Sequence, residues 1–278
     1  MVDITAATVK ALRALTDLPM MECKKALVES DGDQAKAIQI LKDSFKKVSV
    51  KRAGNPTSEG RLSIAVKEDG GLASMIELQC ESAPVANNVE FRSLADQCAR
   101  QLLQGPGAET PEELLSQPAP ECDNVTLTAL YEDIANKIRE KIVLARIIRV
   151  TGPVSGYVHH DGKTGVLFQA TGVDATAPVL RDVAMHITAM ESTVTEPEQL
   201  DSKLVQEERD RLSAEAKTTG KPDNIIEKIV DGRMKSFYVE QGVLALQQFV
   251  KDDSKTVSQA LAEHGLKAGG FTRWVLGT

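Results

Sequence analysis

Apolar positions along this chain change their spacing several times, and each change predicts an element. Val9, Leu12 and Leu15 recur three apart, as on one helix face. Thr5 stands ahead of them and can cap that helix. A second helix begins near Pro19, which suits a first turn, and turns Ala26 and Leu27 inward. Asp31-Gly32-Asp33 breaks the chain, and Asp33 can cap a third helix with Ala37, Ile38 and Leu41 inside. Strict alternation follows at Leu62, Ile64 and Val66. Asp69-Gly70-Gly71 turns, and Leu72, Ile76, Leu78 and Cys80 continue on one face of a β-hairpin. Helical spacing returns over 88–103 with Phe91, Leu94, Ala95, Cys98 and Leu102. Residues 105–120 are Pro-rich and read as loop, and 123–140 as a helix with Leu130, Ile134 and Ile138 inward. Val154, Gly156 and Val158 open a second hairpin, turned by Asp161-Gly162 and continued by Gly165-Val166-Leu167-Phe168. A helix over 176–191 carries Val179, Val183, His186 and Ile187. Hairpin-then-helix thus occurs twice with slight sequence identity, which suggests a duplication.

The rest of the chain is more polar. A highly charged helical segment over 197–217 reaches Thr218-Thr219-Gly220-Lys221-Pro222, and a second helix then carries Ile225, Ile226, Ile229, Val230 and Met234. Two long helices about a Gly-Pro turn predict an antiparallel, projecting arm with a narrow apolar seam. One more helix over 254–264 and an alternating Phe271-Thr272-Arg273-Trp274-Val275 strand close the chain. Between the first helices and the first hairpin, Lys46, Lys47, Lys51 and Arg52 lead into Ala53-Gly54-Asn55-Pro56-Thr57-Ser58-Glu59-Gly60. This stretch lacks an apolar period and reads as a hinge. Its basic run is either a solvated tether or a contact for an acidic partner or nucleic acid.

The expected class is therefore α+β. The expected borders are a three-helix module over 1–45, a linker over 46–60 and a core subdomain over 61–150. A second core subdomain with the C-terminal module takes 151–194 with 240–278, and the helical-hairpin arm takes 195–239. The first module resembles a ubiquitin-associated-type bundle, whose core is so small as to be marginal alone.

Composition narrows the picture. The chain has 278 residues, 42% of them hydrophobic, enough for a substantial core and one to three domains. Only 4% are aromatic, so that core rests on aliphatics and alanine. A net charge of −7 speaks against a nucleic-acid platform. No apolar run is long enough to cross a bilayer, and the start lacks the pattern of a secretory signal. Cys23, Cys80, Cys98 and Cys122 are widely spaced without a CxxC pair, and read as reduced, mostly buried thiols of a cytoplasmic protein.

Catalytic motifs are missing. There is no Gly-rich phosphate loop for direct nucleotide binding, no GxSxG and no local Cys-His arrangement. His159 and His160 are adjacent near a hairpin tip, and neighbours in a strand point to opposite faces, so no shared metal is expected. His186 reads as a satisfied, half-buried imidazole. No cofactor, metal or catalytic residue is assigned, and a binding protein is favoured over an enzyme. Met20-Met21 followed by Lys24-Lys25 offers a binding surface: neighbouring methionines lie about 100° apart round a helix, so one can face the core while the other stands exposed beside a lysine. The competing reading puts both in the small core.

Leu12-Arg13, Thr16, Met20-Met21-Glu22-Cys23-Lys24-Lys25-Ala26-Leu27 and Gly32-Asp33 resemble the opening of bacterial elongation factor Ts. Tyr157-Val158-His159, Gly165-Val166-Leu167, Ala184-Met185-His186, Gly220-Lys221-Pro222, Arg233-Met234-Lys235 and Gln248-Phe249-Val250-Lys251-Asp252-Asp253 continue the likeness in the same order. The resemblance implies guanine-nucleotide exchange on elongation factor Tu, in its GDP-bound and nucleotide-free forms, without covalent chemistry. It implies that Arg13, Met20, Met21 and Lys24 grip the partner's GTPase domain. His186, Arg233 and Met234 would contact it elsewhere.

One departure matters. The family's loop after the strand ending at a cysteine usually reads Thr-Asp-Phe-Val-Ala, and its Phe is the wedge held to disturb the partner's Mg²⁺ region. Here Ser82-Ala83-Pro84-Val85 stands there, with Ala83 in the Asp position and Pro84 in the Phe position. Proline buries far less surface than an aromatic wedge. The wedge is then smaller, supplied by Val85, or matched to an altered partner; alternatively 82–85 is only a helix-approach turn. A divergent binder that stabilises or scaffolds elongation factor Tu with weak exchange is the alternative function.

Overall fold

The computed structural model describes residues 4–122 and 124–278, with backbone alone for 45–50. The chain forms two compact units, Met1–Arg61 with Ile76–Ile147 and Gly277, and Leu62–Met75 with Ile148–Leu276 and Thr278. The class is α+β, with antiparallel hairpin sheets and flanking helices.

In the first unit the chain opens with α1 (Ala6–Thr16), α2 (Met20–Glu29) and α3 (Gln34–Arg52). Thr5 caps α1 by accepting from the Thr8 amide at 3.3 Å, and Asp33 accepts from the Lys36 amide at 3.1 Å at the start of α3. Val9, Leu12, Leu18, Cys23, Ala26, Leu27, Ala37 and Leu41 form their own buried cluster. Leu15, expected inside, is 66% exposed. α1 has room for only two deeply buried side chains before Asp17 closes it in a left-handed conformation. Helix α3 runs on to Arg52, so the linker expected from residue 46 is helical over its first part. Lysine is a good helix former, and a lysine run without glycine or proline does not stop a helix. The side chains of Lys46 and Lys47 lie outside the described residues.

The chain continues through β1 (Glu59–Val66), β2 (Leu72–Cys80), the single turn α4 (Ala83–Ala86), α5 (Val89–Gln104), α6 (Pro111–Leu115), α7 (Leu127–Ile138) and β3 (Ile142–Thr151). The sheet order is β1-β2-β3. Asn88 caps α5, whose Phe91, Leu94, Ala95, Cys98 and Leu102 are buried as the spacing predicts. The expected loop at 105–120 contains α6, started by a Thr110–Glu113 capping box and pinned by fully buried Leu114. α7 turns Leu127 and Ile134 inward, while Leu130 and Ile138 stay half-buried.

In the second unit, Gly70 turns the β1–β2 connection with φ 66°. A Cβ there would collide with the Ala175 carbonyl oxygen, so only glycine fits. β4 (Val154–Val158), β5 (Thr164–Thr171) and β8 (Lys267–Val275) form an antiparallel sheet in that order. α8 (Pro178–Met190) covers it with Val179, Leu180, Val183, Ala184 and Ile187. α9 (Ser202–Lys217) and α10 (Asp223–Glu240) pair about a buried seam of Leu212, Ala216, Ile226, Val230, Met234 and Phe237. β6 (Gln248–Phe249), β7 (Asp252–Thr256) and α11 (Val257–Ala262) complete the unit.

Candidate functional site

Residues 82–85 do not form an open loop. Ala83 and Pro84 begin the single helical turn α4, where a proline near the start lacks no needed N–H. Ala83 and Pro84 are exposed, Ser82 and Val85 half-buried, and Ala86 buried. Behind the turn, the Ser82 hydroxyl donates to Glu140 Oε1 at 2.6 Å and the Ser82 amide to Oε2 at 3.0 Å. The preceding Glu81 accepts from Arg52 Nη1 at 2.9 Å, Asn55 Nδ2 at 2.8 Å and the Lys141 amide at 2.6 Å. Burial pushes the Glu81 carboxyl up, but these donors outweigh it, and its pKa lies below the ordinary value. Burial also lifts the Cys80 thiol to about 11, and its Sγ donates to the Ser82 carbonyl at 3.3 Å.

The two methionines divide as one of the two readings foresaw. Met20 packs half-buried against the helical cluster, while Met21 is 64% exposed. Arg13 and Lys24 are exposed as well. Val28, one helical repeat beyond Met21, is also exposed, and its i, i+7 spacing from Met21 was readable in the sequence.

Two expected contact residues in the second unit are interior, which corrects their assignment as direct contacts. His186 is 1% exposed. Its Nδ1 accepts from the Val250 amide at 3.2 Å, so the proton sits on Nε2, which donates to Gln247 Oε1 at 3.1 Å. Ser192 Oγ donates to the same oxygen at 2.6 Å. Burial lowers the His186 pKa, opposed by the Gln247 bond, so the ring is neutral. Met234 lies in the arm's seam at 1% exposure, because it falls one turn after Val230 and shares its face. Its neighbour Arg233 points outward and pairs with Glu215 at 3.0 Å. The rings of His159 and His160 also differ from expectation: their centroids are 4.2 Å apart. Both lie past the end of β4, where strand alternation no longer separates them.

Sequence reading missed a short internal likeness. Ser82-Ala83-Pro84-Val85 precedes α5, and Thr176-Ala177-Pro178-Val179 opens α8. In the second copy Ala177 and Val179 are buried, while Thr176 and Pro178 are exposed.

A sequence profile described as "Elongation factor TS" matches residues 84–278. The chain belongs to the elongation factor Ts family. Three relatives bear the name Elongation factor Ts. That of Paenarthrobacter aurescens is 39% identical over 284 residues, spanning all of both chains. That of Thiobacillus denitrificans is 37% identical over 279 residues, covering all of this chain and 93% of its own. That of a Nitratiruptor species is 39% identical over 289 residues, covering 99% and 93%. These full-length matches carry the elongation factor Ts likeness into the first 83 residues, beyond the profile. Membership makes the chain a translation elongation factor. No helix among the described residues is long and apolar enough to cross a membrane.

Proposed function

We propose that this chain binds elongation factor Tu and speeds the release of its GDP. The observation that carries the reading is the pairing, within one unit, of two outward features: exposed Met21 with Lys24 one turn along α2 and exposed Arg13 on α1, and the Pro84 turn braced from behind by Glu140. A flexible apolar side chain among cations is a contact for a protein surface. A braced turn can press on a partner without yielding.

The work of exchange is linkage. If the chain binds the vacant GTPase more tightly than the loaded one, GDP must bind the complex more weakly by the same factor. GTPases hold nucleotide through a backbone cradle and a Mg²⁺ between phosphates, so displacing the elements that carry Mg²⁺ loosens the site. No covalent step is involved, and Ser82, Ala83, Pro84 and Val85 are the pressing residues. His186 and Met234 then act by holding surface neighbours in place, and Arg233 remains a direct contact. The borders at 1–45, 61–150 and 195–239 belong to the same reading, as module, core and arm. So does a cytoplasmic setting, where the four free cysteines stay reduced.

Release of a fluorescent GDP from elongation factor Tu, with and without the chain, tests this. Acceleration that grows with chain concentration is expected, and Pro84→Gly should slow it by loosening the turn. Tight complex formation with unchanged GDP release would favour the second reading, a stabilising scaffold. The proline in the wedge position, with its small buried surface, is what keeps that reading open.

A further inference from the structure

We infer that Arg139 is a positioning residue that locks the three-helix module onto the bracing of the Pro84 turn, so that both features meet a partner as one surface. Arg139 closes α7 in a left-handed conformation, φ 63° and ψ 22°. That conformation is strained for a non-glycine residue, and glycine is the common choice at such a helix end. The arginine side chain is put to use: Nη2 donates to the Glu22 carboxylate, next to Met21 on α2. The next residue, Glu140, turns its carboxylate onto Ser82. The residue after that, Lys141, gives its amide to Glu81 and its Nζ to the Ala53 and Asn55 carbonyls at 2.6 and 3.0 Å. Three consecutive residues thus hold helix α2, the turn and the segment that follows α3.

Among the described residues, the module's apolar cluster draws on residues between Ile4 and Leu41. Its grip on α7 through Arg139 and Glu22 is therefore ionic. Such a link fixes orientation while adding little to stability, because solvent screens a partly exposed pair. The left-handed Arg139 aims the guanidinium at α2 while the chain runs on to Glu140, so one backbone bend serves both grips.

This inference rests on the proposed binding of elongation factor Tu, and its test has one arm that does not. Spin labels at Val28→Cys on α2 and Val89→Cys at the start of α5, in a Cys122→Ser background, report the distance between module and turn. Arg139→Gly suits the positive φ, so the fold and melting temperature are expected to hold. The distance distribution should be narrow in the parent, broaden in Arg139→Gly, and narrow again when Glu22→Arg is paired with Arg139→Glu. In fluorescent GDP release, Arg139→Gly should raise the half-saturating chain concentration about three- to tenfold with little change in the maximal rate, as expected for a loosened binding surface. The charge-exchanged pair should recover most of it. An unchanged distance distribution in Arg139→Gly would overturn the inference, even if the parent speeds GDP release. A parent that leaves GDP release unchanged would instead overturn the exchange reading, and the label distances would still decide the lock. A broadened distribution without recovery in the charge-exchanged pair would also overturn it, since the Glu22 pairing would then not be the cause.

Discussion

Glu140 holds Ser82 at two points, its Oε1 taking the hydroxyl at 2.6 Å and its Oε2 the amide at 3.0 Å. These residues stand 58 apart in sequence, and their bond decides whether the Pro84 turn is stiff or loose. Glu140→Ala leaves a half-buried amide and hydroxyl without an acceptor, a loss of about 1–3 kcal/mol. Urea unfolding should show that drop, and amide hydrogen exchange at Ser82 should quicken. Unchanged exchange at Ser82 would mean the turn is held by other means.

Two neighbours in the arm should behave in opposite ways. Met234→Ala removes a fully buried side chain from a narrow seam and should cost about 2–5 kcal/mol, read as early melting of α9 and α10. Arg233→Ala loses only an exposed ion pair and should stay within about 0.5 kcal/mol of the parent, while weakening partner binding. A seam that tolerates Met234→Ala as well as it tolerates Arg233→Ala would contradict the packing described here.

Stability should depend on pH through His186. Burial lowers its folded pKa below the ordinary imidazole value, and the Nδ1 that would take the proton already accepts from Val250. The unfolded chain protonates near pH 6.5, the folded chain only at lower pH, so the unfolded state binds more protons in that window. The contribution is complete above about pH 6.5 and is lost as pH falls toward the folded value. Urea midpoints measured from pH 7.5 down to 5 should decline, and His186→Gln should flatten that part of the curve. Parallel curves for parent and variant would show that another group is responsible.

The four thiols should separate by accessibility. Cys23, Cys80 and Cys98 are buried and Cys122 half-buried. Burial also lifts Cys98 to about 12 and Cys80 to about 11, which starves both of thiolate. A thiol reagent at pH 8 should modify Cys122 first, with the other three reacting only on unfolding. Equal rates for all four would contradict the burial.

Much of this fold was legible because local signals agreed with one another. Thr5 and Asn88 mark their helix starts, Asp69-Gly70 and Asp161-Gly162 their hairpin turns, and the seam of α9 and α10 follows helical spacing. β3 escaped because Ile142, Val143, Leu144, Ala145, Ile147, Ile148 and Val150 make a nearly continuous apolar run, which shows no period to read. α6 escaped because prolines hid a helix of five residues. That Met21 is exposed and Met20 half-buried matches one of the two readings that helix geometry left open. The bracing of the turn did not, because Glu140 and Ser82 meet only through tertiary structure. Met234 was misjudged although its spacing from Val230 already marked it as interior.

Calorimetric titration of the chain into elongation factor Tu, once nucleotide-free and once loaded with GDP, tests the central claim most directly. Tighter binding to the vacant form is predicted, each tenfold preference amounting to ~1.4 kcal/mol and appearing as an equal weakening of GDP in the complex. Equal affinity for the two forms would contradict it.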